Sequence, residues 1–476
     1  MKPWPFFKAI INSPNFYSLT VPIIGATLLF FSAASVRHLL FQSNALDLGW
    51  FDQAIYLISQ GQEPIISFRG FHILGDHASL IVYPLALFYK IFPSVYWLLF
   101  LQAIALALGA LPTWQLAKKA GLNTSQAQAM VWVYLLYPLV FNLSLFDFHP
   151  EVFALPGLLW LAWAARGNYP KTFLLALIVT LSTKAVLSLT VIFVGIWLLI
   201  IEKKRLYGAI ALASGIAWFL IATKVIIPQF SGGEAAAVAR YGFLGNSVGE
   251  IALNLVLKPQ IWFGYLFTGE NLGYLVLLFA PVIWAISWPA LLHLIPALPA
   301  LGLNLLTDYS PQKDLTHQYA LPILPFLMIM AIATLAQPSR PRLKLPLKPQ
   351  WLIAWSIIGF LALAKYPYFF GQYWQNWDNL AAMQTAVQKV TTRDSLLTSP
   401  QIAPHLSQRI NLQLAIQDTE PINPDPFTYI LLNARRPGWE NSTETVKNLV
   451  QQLQKNPNFT LDYQQDDIYL FKRLSS

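Results

Sequence analysis

Residues able to do acid–base chemistry first appear directly after the first long apolar segment of the chain. The run reads Asp47-Leu48-Gly49-Trp50-Phe51-Asp52-Gln53. If that segment spans a membrane, these carboxylates lie at its boundary beside aromatic rings that favour headgroup depth. Such a place suits a general base acting on a water-soluble acceptor. Asp47 and Asp52 are therefore the candidate catalytic residues, and the alternative is a helix cap followed by an aromatic belt.

The next polar run is His72-Ile73-Leu74-Gly75-Asp76-His77. Two imidazoles and a carboxylate could bind a divalent cation or a phosphate, although the spacing matches no zinc signature. If the protein uses a cation, we expect Mg²⁺ or Mn²⁺, held by Asp47, Asp76 and His77. Asp76 and His77 could instead contact the acceptor or support the catalytic carboxylate, so the sequence leaves metal binding open.

A third group, Asp147-Phe148-His149-Pro150-Glu151, packs two carboxylates and an imidazole into a short turn. Capping explains part of it, because Asp147 can cap a helix whose first turn holds Pro150 and Glu151. His149 is not needed for capping. We therefore interpret Asp147, His149 and Glu151 as residues that contact the acceptor or support the catalytic carboxylate.

Lys184 lies between two apolar runs, in Thr183-Lys184-Ala185. A lysine at membrane depth is costly and by default marks a function or a pairing partner. We expect it to hold a phosphate as a point charge, the alternative being a lysine that extends to the outer headgroups. Arg240 and His317 could add cationic or donor groups to the same cavity. The sequence contains no glycine-rich phosphate loop, nucleophile elbow or zinc helix.

Composition sets the environment of these residues. Apolar residues make up 56% of the 476 positions and charged residues 11%, about half the charged share of an ordinary soluble domain. Such a chain belongs in a membrane. The formal net charge is +9, but the basic residues fall at the ends of apolar runs, which indicates membrane topology and not a nucleic-acid partner. Cysteine is absent, which excludes disulfides and thiolate chemistry.

The predicted fold class is an α-helical polytopic membrane protein with about 11 transmembrane helices, several of them short. The scheme needs a tight helical hairpin over 172–201 with Lys184 at its turn. It also needs a second hairpin over 273–306 that turns near Pro289. Leu80 to Phe92 is interpreted as an interfacial helix. The predicted spans are 17–41, 96–116, 126–143, 151–165, 172–183, 185–201, 207–227, 273–288, 290–306, 320–336 and 350–370.

Lysine and arginine in short loops stay on the cytoplasmic side and set the orientation. The N-terminus is therefore predicted to be cytoplasmic, with loops 43–95 and 228–272 outside. Of the twelve acidic residues before residue 372, all but Glu202 fall outside as well. The basic residues assigned to the cytoplasmic side are Lys2, Lys8, Lys118, Lys119, Arg166, Lys171, Lys203, Lys204, Arg205, Arg340, Arg342, Lys344 and Lys348.

The chain divides into a predicted transmembrane domain, residues 1–371, and a soluble extracytoplasmic domain, residues 372–476. After Tyr373 the composition changes to Gln, Asn, Asp and Thr with short apolar runs. The second domain is predicted to be small and of the α/β or α+β type. Its predicted elements are helices over Ala381 to Val390 and Thr443 to Lys455, and strands over Tyr429 to Asn433 and Ile468 to Lys472.

Several of these segments, in order, resemble a bacterial family of predicted membrane proteins of unknown function that is grouped with the GT-C glycosyltransferases. GT-C enzymes use polyprenyl-phosphate-linked sugars, as protein mannosyltransferases do. The likeness covers roughly residues 40–330. It is carried by Asp47-Leu48-Gly49 with Phe51-Asp52-Gln53, Gly75-Asp76-His77, Phe146-Asp147-Phe148-His149-Pro150-Glu151, Thr183-Lys184 and Arg240-Tyr241-Gly242-Phe243-Leu244-Gly245.

The resemblance implies a GT-C-like enzyme in the bacterial inner membrane. It would move a sugar from a polyprenyl-phosphate carrier to a glycan, lipid or protein acceptor on the outer side, with inversion. Asp47 matches the catalytic carboxylate of the first outer loop, Asp52 competes for that role, and Lys184 matches the lysine near the donor phosphate. In relatives an acidic residue commonly follows this lysine, whereas Ala185 and Val186 stand here. Either a nearby carboxylate replaces that residue, or catalysis is altered or lost.

Two other classes of function compete with the transferase. A transporter or flippase would place its essential ionisable residues near mid-membrane and often shows internal repeats. Here these residues collect at one surface and no repeat stands out. A non-catalytic scaffold would bind partners through the outer domain and use the membrane part as an anchor, and eleven spans are more than an anchor needs.

Overall fold

The computed structural model describes residues 16–337, 347–416 and 422–474. Within these ranges most residues are helical. The α-helices are α1 (Phe16–Leu39), α2 (Trp50–Ser59), α3 (Leu74–His77), α4 (Val82–Ile91), α5 (Tyr96–Leu108), α6 (Ala110–Lys119), α7 (Thr124–Leu135), α8 (Pro138–Leu145), α9 (Ala154–Gly167), α10 (Pro170–Thr183), α11 (Leu187–Ile200), α12 (Arg205–Ile221), α13 (Ile227–Ser231), α14 (Val248–Leu257), α15 (Pro259–Phe263), α16 (Gly269–Phe279), α17 (Leu298–Leu306), α18 (Leu324–Ala336), α19 (Pro349–Leu363), α20 (Tyr366–Tyr373), α21 (Leu380–Lys389) and α22 (Thr443–Lys455).

Shorter helical turns connect these helices. The π-helical turns are Ala45–Gly49 and Ala222–Ile226, and the 3-10 turns are Pro150–Phe153, Ala236–Tyr241, Gly264–Phe267, Ala280–Ala285, Ala290–Ala297, Ser310–Lys313, Gln318–Ala320 and Ala403–His405. The predicted outer loop 228–272 therefore contains helices, because its apolar residues have helical spacing.

All eleven predicted spans are helical, but their number as membrane spans stays a prediction. Four helical stretches of the described residues are long and apolar enough to cross a bilayer, and two bent pairs raise that number to six. The helices of the other predicted spans have fewer than 18 residues. A helix of 14 residues such as α10 is about 21 Å long, against about 30 Å of hydrocarbon. The four long stretches are Tyr17–Leu39, Tyr96–Lys119, Arg205–Ser231 and Pro349–Tyr373.

Proline sets the first bend, where α7 and α8 meet at 41°. Tyr137 has an extended backbone, with ψ of 125°, because Pro138 follows it and disfavours the helical conformation there. The second bend, of 63°, lies between Pro259–Phe267 and Gly269–Ala285. Each bent pair therefore counts as one span only if the bilayer accommodates the bend.

The two predicted hairpins are interrupted where the sequence indicates. Lys184 has an extended backbone between α10 and α11, and residues 286–289 separate the turns Ala280–Ala285 and Ala290–Ala297. α11 packs mainly on α12, where glycines allow close approach: a Cβ atom on Gly195 would lie 2.6 Å from the backbone nitrogen of Leu212. The 172–201 segment is therefore less of a tight hairpin than predicted.

The interfacial segment is a helix, α4, as predicted. Its inner face contacts α2 through Tyr89, whereas Leu87 and Ile91 on its outer face are 62% and 70% exposed. The helix is therefore confirmed, and its placement in the headgroup plane remains a prediction.

The C-terminal residues form a five-stranded mixed sheet with α21 and α22 against it. The sheet order is β4-β3-β5-β7-β6, with β3 parallel to β4 and β5, and β7 antiparallel to β5 and β6. All four predicted elements of this region are confirmed, and the predicted boundary at residue 371 falls within α20. The strands of the chain are β1 (Ile65–Ile66), β2 (Phe71–His72), β3 (Leu396–Thr398), β4 (Leu412–Leu414), β5 (Tyr429–Asn433), β6 (Phe459–Gln465) and β7 (Ile468–Arg473).

Charged residues gather at opposite ends of α9. Glu151 lies one turn before its start, and Arg166 near its end pairs with Glu202 at 2.7 Å. The grouping agrees with the predicted separation of basic and acidic loops. Lys2, Lys8, Arg340, Arg342 and Lys344, also part of that prediction, lie outside the described residues.

Candidate functional site

Asp47 is carried by the π-helical turn Ala45–Gly49, which continues directly into α2. The side chain of Asn44 caps this turn by accepting a hydrogen bond from the backbone nitrogen of Leu46. The backbone nitrogen of Asn44 donates to Asp147 Oδ2 at 2.7 Å, and the other oxygen of Asp147 accepts from Arg37. Asp147 therefore braces the turn that presents Asp47.

The Asp47 carboxylate lies 3.3 Å from Nε2 of His149. The imidazole is buried and stacks on Phe146, and the backbone nitrogen of His149 donates to Gln102. Burial alone lowers the pKa of His149, but the hydrogen bond and charge of Asp47 raise it above its ordinary value of 6.5. His149 therefore contacts Asp47 directly and fixes the orientation of its carboxylate.

Lys184 and Glu151 form a buried ion pair, with Nζ 2.6 Å from Oε1 and side-chain exposures of 14% and 4%. Glu151 comes from the 3-10 turn Pro150–Phe153, and Lys184 from the break between α10 and α11. The lysine thus points into the protein and does not extend to the headgroups. The second carboxylate oxygen of Glu151 is buried and has no hydrogen-bond partner among the described residues.

Asp76 and His77, in the loop 43–95, border the same pair. Their side chains are 2.8 Å apart, and the backbone oxygen of His77 accepts from the backbone nitrogen of Ala185 at 2.9 Å. Burial raises the pKa of Asp76, but the charges of His77 and Lys184 outweigh it and bring the value to about 2. Asp76 is therefore a carboxylate within reach of the field of Lys184.

A cavity with about 460 Å³ of open space begins at Lys184 and Glu151. Away from these two charges its walls are mostly apolar. The other lining residues are Val186, Leu187, Thr190, Pro299, Ala300, Leu303, Asn304, Gln312, Gln318, Tyr319 and Pro322. The cavity thus combines two charged groups with mostly apolar walls, a lining that suits an amphiphilic ligand.

Arg240 lies against two aromatic residues near this cavity. Its guanidinium is 4.4 Å from the ring centre of Tyr309 and 5.2 Å from that of Tyr319, and one amino group donates to Gln312. No carboxylate of the described residues lies within salt-bridge distance of it. His317 pairs with Asp314 at 2.8 Å. Arg240 is thus a cation whose charge remains available to an anionic ligand.

His317 and His149 both contact the ring of Phe146. The ring of Phe146 stacks on His149 at 5.2 Å and contacts His317 edge-on at 4.5 Å. Eight of the predicted site residues are therefore linked around one region by direct contacts or short chains of contacts, and Arg240 lies beside that region. These eight are Asp47, Asp76, His77, Asp147, His149, Glu151, Lys184 and His317.

Asp52 is not part of this cluster. Its carboxylate is fully buried and accepts hydrogen bonds from Tyr89 at 2.6 Å, Ser407 at 2.6 Å and Gln408 at 3.2 Å. Burial raises the pKa of Asp52, against the lowering effect of these donors. The structure therefore places the second catalytic candidate at a contact with the C-terminal region, away from the cavity.

The predicted metal ligands form separate pairs. Asp47 pairs with His149, and Asp76 pairs with His77. Within the part of the chain that the structure describes, no three histidine, aspartate or glutamate side chains are grouped so that they could hold a metal ion. The Mg²⁺ or Mn²⁺ site at Asp47, Asp76 and His77 stays a prediction without a formed ligand set.

Sequence reasoning missed four residues at the site: Arg37, Tyr309, Gln312 and Tyr319. Arg37 carried a usable signal, because a charged residue inside the first apolar segment is costly and calls for a partner. The two tyrosines and the glutamine lie in stretches without distinctive spacing, so only the fold brings them to Arg240.

Apolar helices, two large loops and a small C-terminal sheet make up a fold that solved structures share. The fold is similar to that of ArnT from Cupriavidus metallidurans bound to undecaprenyl phosphate, with a TM-score of 0.55 and 13% identity over 98% of this chain and 99% of that chain. The apo state of that protein matches with a TM-score of 0.53 and 12% identity over 94% and 98% of the two chains. At such identities the likeness shows a shared fold.

A third solved structure also matches this chain. It is the archaeal oligosaccharyltransferase AglB from Archaeoglobus fulgidus in complex with an inhibitory peptide and a dolichol-phosphate, with a TM-score of 0.40 and 12% identity over 86% of this chain and 69% of that chain.

The chain belongs to the family described as "Predicted membrane protein (DUF2079)", whose model matches residues 37–470. This confirms the family resemblance in the sequence, and the solved ArnT structures show that the chain shares their fold. Among curated protein sequences, none matches the chain.

Proposed function

We propose that this protein is a membrane glycosyltransferase that moves a sugar from a polyprenyl-phosphate carrier to an acceptor on the outer side of the bacterial plasma membrane. The observation that carries the proposal is a cavity with apolar walls that ends at the Lys184–Glu151 pair, beside the Asp47–His149 pair. One end suits a phosphate, the apolar side suits an isoprenoid chain, and the adjacent carboxylate suits a base.

The donor would bind with its phosphate between Lys184 and Arg240. Lys184 is already balanced by Glu151, so Arg240 contributes the cationic charge that lacks a carboxylate partner. Its ring contacts leave guanidinium edges free to donate to phosphate oxygens. The undecaprenyl phosphate bound to ArnT, a protein with the same fold, supports a lipid phosphate as ligand here.

The acceptor would be activated by Asp47. Its carboxylate takes the proton of an acceptor hydroxyl, whose oxygen attacks the anomeric carbon on the face opposite the phosphate. The bond between that carbon and the phosphate oxygen breaks, the phosphate leaves with the electron pair, and the sugar is transferred with inversion. Lys184 and Arg240 stabilise the charge that develops on the leaving phosphate, and His149 holds Asp47 in place.

Glu151 can replace the acidic residue that follows the lysine in relatives but is missing after Lys184 here. Ala185 occupies that position, and Glu151 supplies a carboxylate to Lys184 from a different helical turn. The pairing holds the ammonium at the end of the cavity. We therefore infer that the replacement of the acidic residue by Ala185 preserves the lysine's position.

The orientation follows from the charge distribution. The cavity and its carboxylates lie at the end of α9 opposite Arg166, and basic short loops belong in the cytoplasm. The N-terminus would then be cytoplasmic and the C-terminal domain, residues 372–476, extracytoplasmic. A reporter fused after residue 371 tests this assignment, and reporter activity in the cytoplasm would reverse it.

Transfer is tested with the purified full chain in lipid vesicles, a radiolabelled polyprenyl-phosphate sugar and an extract of outer-surface acceptors. We expect Asp47→Asn to slow transfer by about 10²-fold or more, the usual contribution of a general base. Glu63→Gln, which changes an exposed carboxylate of the same loop, is the matched control and should retain the wild-type rate.

Equal rates for Asp47→Asn and Glu63→Gln would show that Asp47 is not the base. Movement of the labelled lipid between leaflets without transfer to any acceptor would favour a flippase. In a flippase the ionisable residues would act in transport, and the Asp47 substitution would change the rate of lipid movement.

A further inference from the structure

One face of α2 and the turn before it lies against the C-terminal domain. The contacting residues are Gly49, Asp52, Gln53 and Tyr56, at the i, i+3, i+4 and i+7 spacing of a single helix face. A Cβ atom on Gly49 would lie 3.7 Å from Pro404, so the two backbones approach closely there. The helix is therefore in contact along two full turns.

In most of the hydrogen bonds between this face and the C-terminal domain, the C-terminal domain supplies the donor. Asp52 accepts from Ser407 and Gln408, and Tyr56 accepts from Arg393 at 2.9 Å. Gln53 donates in the opposite direction, to the backbone oxygen of Arg409 at 3.0 Å. Because the Asp52 carboxylate is fully buried, its donors have no water to replace them.

The N-terminal end of the same element is also held by the C-terminal domain. Nε1 of Trp439 donates to Oδ1 of Asn44, the residue that caps the turn Ala45–Gly49. Asp47 lies between these two attachment points, and its carboxylate points to His149 in the membrane part. The segment from Asn44 to Tyr56 is thus held between the two parts of the protein.

We propose that the C-terminal domain is a positioning element for Asp47, and that its segment 403–410 acts through Asp52. This inference rests on the proposed transferase function. Asp52 is a positioning residue, since it touches the C-terminal domain and not the cavity. Loosening it leaves the carboxylate of Asp47 chemically intact but lets it move, and a displacement of about 1 Å can cost about 10²-fold in rate.

The first test compares Asp52→Asn and Ser407→Ala with wild type in the transfer assay. We expect kcat to fall about 10-fold to 100-fold, with the KM for the lipid donor within about twofold, because the donor cavity is lined by other residues. Thr385→Ala, on an exposed face of α21, is the control. A matched rise in KM, or an unchanged kcat, would overturn the proposal.

The second test restores the contact covalently. The chain has no cysteine, so Gly49→Cys with Pro404→Cys introduces one defined cysteine pair, at a place where a Cβ atom on Gly49 would lie 3.7 Å from the Cα atom of Pro404. In the Asp52→Asn background, oxidation should recover most of kcat and reduction should abolish the recovery. The same disulfide should not rescue Asp47→Asn. A disulfide that forms, as shown by mass spectrometry, without raising kcat would contradict the positioning role.

A readout without transfer separates this inference from the proposed function. Hydrogen exchange of the backbone amides in 403–410 should become faster in Asp52→Asn than in wild type. If wild type shows no transfer with any donor, the proposed function fails, whereas unchanged exchange in the variant refutes the contact between Asp52 and the C-terminal domain.

Discussion

The Lys184–Glu151 pair permits folding and function to be measured separately. Two unit charges 2.6 Å apart attract by about 6 kcal/mol at an effective dielectric constant of about 20. Most of this attraction offsets the cost of removing both groups from water. Replacing one partner alone leaves an unpaired buried charge, so we expect Lys184→Met to lower the free energy of unfolding by about 3–5 kcal/mol. The single substitution Glu151→Leu should cost a similar amount.

The double variant Lys184→Met with Glu151→Leu removes both charges and should lie within about 1–2 kcal/mol of wild type. Lys224→Met breaks an exposed pair with Glu234, 3.8 Å apart, and should cost less than about 1 kcal/mol. Unfolding can be followed by tryptophan fluorescence during SDS titration of the protein in bicelles.

The folded double variant then reports on function. If Lys184 binds the donor phosphate, this variant is stable but transfers sugar at least 10²-fold more slowly than wild type, the scale of one electrostatic contact in a transition state. The reasoning is refuted if the double variant is as unstable as Lys184→Met, because the pair would then not account for the loss. A stable double variant with wild-type transfer would remove Lys184 from the mechanism.

Three further outcomes are expected. His149→Asn should lower the melting temperature most below pH 6.5, with the difference lost as pH rises through the raised pKa of His149, because the protonated ring pairs with Asp47. Gly195→Ala should destabilise the protein, whereas the helical control Gly273→Ala, with open space around it, should not, as melting curves can show. Removing divalent cations with EDTA tests the predicted cation site: if Asp47, Asp76 and His77 hold Mg²⁺ or Mn²⁺, transfer should fall and either ion should restore it, and an unchanged rate would contradict the site.

Apolar run length was enough to predict the helices of the proposed spans, since each predicted span is helical, and each predicted element of the C-terminal region is present. It did not predict the helices Val248–Leu257 and Pro259–Phe263, which lie within the predicted loop 228–272. The number of spans could not be settled in the same way. Helices such as α10 and α11 are 14 residues long, and their fit to a bilayer depends on tilt and packing that no local pattern encodes.

The site was predictable as a list of residues but not as a set of pairs. Lys184 and Asp47 stood out because charge is costly in or beside hydrocarbon. Their partners, Glu151 and His149, come from another part of the chain, so only packing could identify them. Asp52, predicted as a competitor of Asp47 for the role of base, stays a prediction, but the two carboxylates face different partners: Asp47 faces His149, and Asp52 faces Ser407.

Gly75 shows how closely the loop 43–95 packs against the start of the segment 228–272. A methyl group added there would lie 2.8 Å from the carbonyl group of Phe230 in the second loop, and the neighbouring His72 stacks on the Phe230 ring at 4.2 Å. The absence of a side chain at Gly75 therefore allows two segments far apart in the chain to lie this close together. The two loops therefore cannot change independently during evolution, because an insertion or a bulkier residue in one loop requires the other to move away. Chimaeras that exchange one loop between relatives should fail to fold, whereas chimaeras that exchange both loops should fold.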